Sequence, residues 1–375
     1  MNKKYSELAE LFRSEKTDEE ILDFLLNYHK NDIADMMAGM TEEERKRLYH
    51  LLGAQKVAEI FKYIEEPRKY IRELSVESAA RVISEMDSDD AVDLLEDLDP
   101  EEKEQIVRML DEDAKKDVKM LLSYDEEEIG SCMTTNYICI PENLTIRQAM
   151  SELVKQAGEN DNIMTIYVVD EKGVFAGAID LKDLIRAREN AHLEDLVLKS
   201  YPYVTDHEKI DDCMDRILDY AEDSIPVLSE DKKILGVITS EDLIEMVDNE
   251  MGEDYAKLAG LTAEEDLKEP TLQSMKKRLP WLIILLFLGM AVSSVVGLFE
   301  NVVAVLPIVI CFQSLVLDMA GNVGTQSLAV TIRVLMDENL TGKQKFQLVV
   351  KEVKTGSLNG ALLGIMALLC LGVYV

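Results

Sequence analysis

The sequence predicts a multidomain protein with an all-α superhelical domain, an α/β domain pair and an α-helical transmembrane domain. A short motif recurs every 12 residues in the first third of the chain. A strand–strand–helix pattern then occurs twice in succession. From Leu279 onward the chain is mostly apolar, with its few charges at the ends of apolar segments. These observations define the three parts in order.

The charge of the chain is strongly acidic. Its 375 residues include 73 Asp and Glu against 40 Lys and Arg, a formal net charge of −33, and residues 1–270 carry nearly all the acid. Such a surface repels phosphates, so we expect no nucleic-acid partner. It attracts cations, although a solvated acidic surface without any ligand would have the same composition.

The reactive residue types give no sign of an enzyme. The five cysteines show no CxxC spacing, which fits a reduced cytosolic part plus cysteines within the membrane. The four histidines pair with no Cys or Glu at zinc spacing. We therefore predict no catalytic residues.

Residues 1–128 are predicted to form a helical domain built on the 12-residue repeat. The repeats start at Leu74-Ser75, Met86-Asp87, Leu98-Asp99 and Leu110-Asp111. Ser or Asp at such a position caps a helix, and acids are favoured in the first turn. The pattern indicates short helices stacked in a superhelix. Asp89, Asp90 and Asp93 add an acidic edge, whereas capping is the preferred interpretation for Asp87, Asp99 and Asp111.

From Ile129 the chain alternates between strands and helices. A hairpin followed by a helix occupies residues 166–185, and the same pattern returns about 59 residues later, in residues 225–244. The two copies resemble a tandem pair of CBS domains, at residues 129–192 and 193–247. The resemblance implies a sensor that often binds ATP or another adenine nucleotide. Asp183 and Asp242 match the ribose-contacting Asp of that family, but a helix N-cap is the preferred interpretation for both.

A charged helix, about Glu241 to Leu258, is predicted after the second copy, and residues 248–275 form a link to the apolar part. Its acids are Asp248, Glu250, Glu253 and Asp254. Such a helix could transmit a switch to the membrane or serve as a solvated connector.

Residues 276–375 are predicted to hold three membrane helices, at about 279–299, 302–335 and 355–375. Trp281 would lie at the interface. Basic residues precede the first helix (Lys276, Lys277, Arg278) and separate the second from the third (Arg333, Lys343, Lys345, Lys351, Lys354). Basic loops stay in the cytoplasm, so the acidic domains are predicted to be cytoplasmic in a multi-pass membrane protein.

The second membrane helix carries polar residues at its centre. They are Gly321, Asn322, Gly324, Thr325 and Gln326, with Asp318 just before them. Polar groups at that depth must face another helix or water. The segment therefore either packs against neighbouring helices through its amides or forms the wall of an ion path.

The order of domains resembles the MgtE family of magnesium channels. The matching residues are Arg278-Leu279-Pro280-Trp281-Leu282, Phe299-Glu300, Ala320-Gly321-Asn322-Val323-Gly324-Thr325-Gln326-Ser327 and Lys351-Glu352-Val353. The resemblance implies a homodimer in the cell membrane that transports Mg²⁺ and is gated by cytosolic Mg²⁺. It also implies that Mg²⁺ bridges acids of the helical domain (Asp89, Asp90, Asp93) and acids of the later segments (Asp242, Asp248, Glu250, Glu253, Asp254).

One feature departs from that family, which has five membrane helices per subunit where this sequence predicts three. One expectation is a shortened chain that transports Mg²⁺ with a partner supplying the remaining helices. The alternative is a membrane-anchored CBS sensor, or regulatory subunit, that does not conduct by itself.

Overall fold

The computed structural model describes residues 17–64, 66–158, 160–188, 191–261, 270–299, 307–337 and 341–374. The chain divides between Ile244 and Glu245 into two compact units. The first unit contains the acidic helices and the two α/β copies. The second contains most of one charged helix and the apolar helices.

The acidic domain is helical throughout its described residues, as predicted. Its helices are α1 (Asp18–Leu25), α2 (Lys30–Met37), α3 (Glu42–Phe61), α4 (Pro67–Ile71), α5 (Val76–Ser84), α6 (Ser88–Glu96), α7 (Pro100–Met109) and α8 (Glu112–Leu121). Helix α5 packs against α7, and α6 packs against α8. This alternation between next-but-one helices is the stacking that the 12-residue repeat predicts.

Each repeat begins at the N-cap of a helix, but only part of the capping prediction is correct. The hydroxyl of Ser75 accepts from the Ser78 N–H at 3.3 Å, and the Asp111 carboxylate accepts from the Ala114 N–H at 2.8 Å. Asp87 and Asp99 hold N-cap positions without a side-chain capping bond. Asp99 instead pairs with Arg68 and Arg72, because those guanidinium groups lie beside it. Asp87 instead accepts a hydrogen bond from the side-chain amide of Asn136.

An ion pair is buried in the helical domain. The side chains of Arg45 and Glu73 are only 8% and 10% exposed, and Arg45 also donates to the carbonyl of Met37 at 3.3 Å. The Tyr49 hydroxyl donates to Glu73 at 3.4 Å. The pair is thus embedded in further hydrogen bonds, the condition under which two buried charges are tolerated.

We predict that Arg45→Met destabilises the protein by about 3–5 kcal/mol, because it leaves the buried Glu73 carboxylate without its cation. A lowered midpoint of urea unfolding measures the effect. Lys46→Met is the matched control, since Lys46 pairs with Glu42 on the exposed surface. That change should cost about 0.3–0.5 kcal/mol. Equal losses in the two variants would contradict the prediction.

The two α/β copies form separate three-stranded sheets of identical topology. Their elements are β1 (Ile138–Pro141), α9 (Ile146–Gln156), β2 (Thr165–Val169), β3 (Phe175–Asp180), α10 (Leu181–Arg186), β4 (Val204–Thr205), α11 (Ile210–Tyr220), β5 (Ser224–Leu228) and β6 (Ile234–Thr239). In each sheet the first strand is parallel to the second, and the second and third form the predicted antiparallel hairpin. The strands are short and their middle residues are buried.

The segment leading into the first copy pairs with the second copy. Thr134 and Val237 exchange both backbone hydrogen bonds, at 2.9 and 2.8 Å. A side chain at Gly236 would place its Cβ 2.7 Å from the Thr134 carbonyl oxygen, so only glycine permits this approach. The buried Tyr167 joins the sheets from the other side, with its hydroxyl 2.6 Å from that of Ser224. The two copies therefore form one body.

The remaining helices are α12 (Ser240–Leu258), α13 (Thr271–Gly297), α14 (Pro307–Asp337) and α15 (Gly342–Tyr374). Helix α12 agrees with the charged helix predicted at Glu241 to Leu258. Among the described residues, α13 alone is long and apolar enough by composition to cross a membrane. It begins at Thr271, before the predicted start at residue 279, so Lys276, Lys277 and Arg278 belong to its first turns.

The basic residues predicted to lie in a loop belong to helices instead. Arg333 lies within α14, and the lysines at 343, 345, 351 and 354 lie in the first turns of α15, which begins well before Thr355. Helix α15 packs on α14, where a Cβ at Gly356 would lie 3.3 Å from a methyl group of Val323. Gly360 and Gly364 continue this face along the groove between the two helices.

The C-terminal end of α12 is closed by a Schellman motif. The Leu261 N–H donates to the Ala256 carbonyl at 2.8 Å, and the Gly260 N–H donates to the Lys257 carbonyl at 3.0 Å. Gly260 has a φ of +76°, the left-handed conformation that the motif requires. The indole of Trp281 covers it so closely that a Cβ would lie 2.3 Å from Trp281 Cδ1. This contact ties the end of α12 to α13.

We predict that Gly260→Ala displaces the Trp281 ring and costs roughly 1–2 kcal/mol for the left-handed backbone, plus the clash. Trp281 is the sole tryptophan of the chain. Its fluorescence emission should therefore shift in the variant. Gly289→Ala is the control, because a Cβ there meets nothing within 4 Å. An unchanged emission spectrum in Gly260→Ala would disprove this packing.

Candidate functional site

An acidic cavity of about 230 Å³ lies within the first unit. It is formed where the C-terminal end of α3 meets the N-terminal ends of α6 and α12. Its lining includes the carboxylates of Glu59, Glu85, Asp87, Asp89, Asp90, Asp161, Glu241 and Asp242, and the ammonium groups of Lys30 and Lys62. A helix N-terminus favours negative side chains, which explains why two of these helices begin with acids.

Hydrogen bonds hold the start of α6 against the α/β body. Asn136 Nδ2 donates to Asp87 Oδ1 at 2.7 Å, and the Thr135 N–H donates to the Ser88 hydroxyl at 2.9 Å. The Asp161 N–H donates in turn to Asn136 Oδ1 at 2.8 Å. Asp87 is thereby oriented by the α/β body rather than by its own helix, which is why it does not cap α6.

Asp242 is positioned by the first turn of α12. The Thr239 N–H donates to Asp242 Oδ2 at 2.7 Å, and the Asp242 N–H donates to Thr239 Oγ1 at 3.3 Å. This reciprocal pair is a capping box, with Asp242 in the first turn. The prediction that Asp242 is itself the N-cap is therefore wrong in detail.

In the first copy, Asp183 was likewise predicted to be an N-cap and is not one. The N-cap of α10 is Asp180, whose carboxylate accepts from the Lys182 N–H at 2.7 Å. Asp183 lies one turn further on and is exposed. Sequence reasoning overlooked Asp180 because it is the last residue of a strand as well as the cap of the next helix.

The cavity crowds its carboxylates together. Burial raises the pKa of Asp89 well above its usual range, and the charges of Asp242 and Asp90 raise it further. Burial also raises the pKa of Asp90 to about 7, against the opposing effect of Lys62. Burial likewise raises the pKa of Asp242. Asp89 Oδ1 is buried and has no hydrogen-bond partner. The cavity is therefore short of positive charge, and a cation would stabilise it.

The chemistry of the cavity suits a hydrated Mg²⁺ ion. Mg²⁺ prefers oxygen ligands and usually keeps several of its waters. A liquid water takes about 30 Å³, so the cavity has room for an ion with part of its hydration shell. Among the described residues, no group of three or more His, Cys, Asp or Glu side chains is arranged for direct coordination of a metal. Contacts through water fit this arrangement.

The predicted metal-binding residues do not all lie here. Asp89, Asp90 and Asp242 line the cavity. Asp93 is exposed one turn further along α6 and acts at a distance, adding to the rise in the pKa of Asp90. Asp248 and Glu250 belong to the second unit. The side chains of Glu253 and Asp254 lie outside the described residues.

The structure adds residues that the sequence did not indicate. Asp87 was predicted only as a cap, and Glu241 only as the start of a helix. Lys62 was not predicted at all. It is the C-cap of α3, and no spacing pattern connects it to α6 or α12. Asp87 carried a local signal, its position at the start of a 12-residue repeat, but that signal indicates a helix cap and not a site.

A polar face runs along α14. Asp318, Asn322 and Gln326 are spaced four residues apart, so they share one side of the helix. Asn322 Nδ2 donates to Asp318 Oδ2 at 3.4 Å, and the Thr325 hydroxyl donates to the Gly321 carbonyl at 3.1 Å. All five predicted pore residues, Gly321, Asn322, Gly324, Thr325 and Gln326, are exposed on the single chain.

The polar face of α14 is distinct from its packing face. Met319, Val323 and Ser327 form the more buried stripe, and Val323 contacts α15. A Cβ at Gly321 or Gly324 would meet nothing within 4 Å, so these glycines are not needed for helix contacts within the chain. The amide-bearing face is thus available to an ion or to another subunit.

An acidic helical domain, a pair of duplicated α/β folds and apolar helices with a polar face define a membrane protein that handles cations. Family comparisons agree with this class. Residues 28–127 match the MgtE intracellular N domain, residues 127–190 and 193–249 match CBS domains, and residues 313–375 match the MgtE divalent cation transporter family.

Curated relatives share these domains. The magnesium transporter MgtE of Enterococcus faecalis is 38% identical over 378 residues, which cover 100% of this chain and 83% of that protein. The magnesium transporter MgtE of Bacillus subtilis is 31% identical over 247 residues, 65% of this chain and 54% of that protein. The chain belongs to the MgtE family of magnesium transporters, which confirms the family predicted from the sequence.

Solved structures align with about two thirds of the chain. The soluble part of a magnesium transporter aligns with a TM-score of 0.63 and 30% identity over 66% of this chain and 98% of that one. The cytosolic domain of the Mg²⁺ channel MgtE in complex with ATP aligns with a TM-score of 0.58 and 26% identity, over 64% and 99%. The predicted order of a helical domain, a CBS pair and a C-terminal helical region is confirmed.

Proposed function

We propose that the chain transports Mg²⁺ across a membrane and that the acidic cavity of its first unit senses cytosolic Mg²⁺. The buried, unpartnered oxygen of Asp89, which lines the same cavity as Asp90 and Asp242, carries this proposal. Transport is favoured over a purely regulatory anchor because residues 313–375 match a divalent cation transporter family and include most of the polar face of α14. An anchor would not need that face.

The sensing step follows from electrostatics. Without a divalent ion, the carboxylates at the starts of α6 and α12 repel one another. A bound Mg²⁺ would offset that repulsion and hold the two helix ends together. Because Glu241 and Asp242 lie in the first turn of α12, the ion would act on the helix that leads toward the apolar segments. A ligand that favours one arrangement in this way shifts the population of states.

The remaining parts of the proposal concern assembly and nucleotide. We infer that the chain lies in the cell membrane with the acidic domains in the cytoplasm, because the basic ends of α13 and α15 favour that side. A homodimer is inferred from the family resemblance. ATP binding at the CBS pair is supported by the ATP-bound cytosolic domain to which the chain is similar. Asp183 is the better ribose contact, since the Oδ2 oxygen of Asp242 is already engaged by Thr239.

We predict that Asp89→Asn weakens the response of the first unit to Mg²⁺. Loss of one carboxylate should raise the half-saturating concentration roughly tenfold or more. The measurement is protection of the full chain from proteolysis in lipid nanodiscs, titrated with MgCl₂. Asp97→Asn removes the same charge at the exposed C-terminal end of α6 and should leave the response unchanged. Equal protection by NaCl at matched ionic strength would mean simple screening instead.

We predict that Asn322→Leu abolishes Mg²⁺ uptake while leaving the protein folded. If the polar face lines an ion path, the substitution removes an amide that contacts the ion. If the amide only makes an interhelical hydrogen bond, its loss would weaken the free energy of helix association by roughly 1 kcal/mol. Growth of a magnesium-requiring bacterial strain measures uptake, and cross-linking measures assembly. Asn359→Leu makes the same change on α15 and is the matched control. Normal growth of the Asn322→Leu strain would remove this face from the path.

A further inference from the structure

A lysine already lies among the carboxylates of the acidic cavity. Lys62 Nζ is 3.1 Å from Glu241 Oε2, 3.6 Å from Asp87 Oδ2 and 3.9 Å from Asp90 Oδ2. Its side chain is only 28% exposed. The ammonium group therefore contacts acids from both α6 and α12, the two helices whose ends a divalent ion would join.

The backbone fixes where this ammonium lies. Lys62 is the C-cap of α3, where a positive side chain is favoured by the helix dipole. Its N–H donates to the Ala58 carbonyl at 3.4 Å, which anchors the start of the side chain. A flexible four-carbon stem then carries the charge into the cavity. Lys62 thus provides a positive charge that is covalently held near the cavity and cannot exchange with solvent as a free ion does.

The other lysine of the cavity is placed differently. Lys30 Nζ pairs with Glu59 at 3.0 Å, on the α2 and α3 side. Lys62 is the residue whose charge acts on Asp90 and Asp242. One ammonium cannot balance all these carboxylates, and Asp89 Oδ1 is left buried without a partner. The lysine therefore neutralises part of the negative charge in the cavity and leaves the rest uncompensated.

We propose that Lys62 is a built-in competitor for the divalent ion, and that it sets the Mg²⁺ concentration at which the cavity fills. This inference rests on the proposed function, because it assumes that Asp89, Asp90 and Asp242 receive the ion. Two cations that share the same carboxylates repel each other over a few ångströms, so the ammonium lowers the affinity for Mg²⁺.

The surroundings of Lys62 provide a place for it when the ion enters. Glu241 lies nearest to its ammonium group and is 62% exposed. The side chain can retain this outer contact while Asp90 turns to the ion. Lys62 can therefore return to the carboxylates when the ion leaves. Without the ion, its ammonium group partly neutralises their negative charge. A sensor built in this way responds only to concentrations that displace the lysine.

The test is a Mg²⁺ titration of the full chain in lipid nanodiscs, followed by hydrogen exchange of the segments that contain Asp89 and Asp242. Lys62→Gln should lower the half-saturating Mg²⁺ concentration about tenfold, since a neighbouring charge at this distance acts on that scale. Lys62→Arg keeps the charge and should remain close to the unaltered protein. Lys30→Gln, the matched control, removes a lysine that pairs with Glu59 instead and should produce a much smaller change.

The variants separate this inference from the proposed function. If Asp89→Asn leaves the Mg²⁺ response unchanged, the ion does not bind here, and both the sensing proposal and the inference fail. If Asp89→Asn weakens the response but Lys62→Gln does not strengthen it, only the inference fails. The double variant should have a half-saturating concentration between those of the two single variants.

Stability of the variant is a separate concern, because Lys62 also neutralises its neighbours. Lys62→Met keeps the length of the stem and serves as a second variant. Folding that requires added Mg²⁺ in either variant would support the inference, since the divalent ion would then replace the ammonium. Failure of both variants to fold even in saturating Mg²⁺ would overturn it.

Discussion

Repulsion among partly buried carboxylates is the interaction on which the proposed sensing function of the first unit depends. Asp89, Asp90 and Asp242 are held close together where α6 and α12 begin, and their partial burial weakens the screening of these charges by water. A protein retains such a cluster only if something else compensates it. In the proposed sensor, the compensation is divided between Lys62 and a cation from solution.

The rest of the first unit keeps those carboxylates in place. Stacked helices present the start of α6 to the α/β body, and Asn136 and Thr135 bind it there. The capping box of Thr239 and Asp242 holds the start of α12. Arg45 and Glu73 pair with each other by contrast, so this buried pair lacks the uncompensated charge of the cavity.

In the second unit, packing residues and polar residues occupy different faces of the same helix. Helix α14 uses one stripe of small and apolar residues to pack on α15, and an adjacent stripe of amides faces away. Trp281 covers the end of α12 at Gly260, so the charged helix and the first apolar helix are in direct contact. Packing and polar functions are thereby carried by different faces of the same helices, and each face can be altered separately.

The sequence by itself determined the parts of the molecule. The 12-residue repeat, the duplicated hairpin and the apolar C-terminal region each reflect a local period of hydrophobicity, which a single sequence displays directly. Helix starts at Ser75 and Asp111 were predictable because capping involves residues only three apart. The i, i+4 spacing likewise placed Asn322 and Gln326 on one face.

Only the tertiary structure decided which charges meet. Asp87 could not be recognised as a site residue, since its contact with Asn136 joins positions far apart in the chain. Lys62 reaches Glu241 across an even longer separation, and no periodic pattern encodes such a contact. The pKa of a carboxylate depends on burial and on neighbours within a few ångströms, and both are properties of the folded chain. The acidic composition predicted an affinity for cations, whereas the packing of three helix ends decided which carboxylates lie together in one cavity.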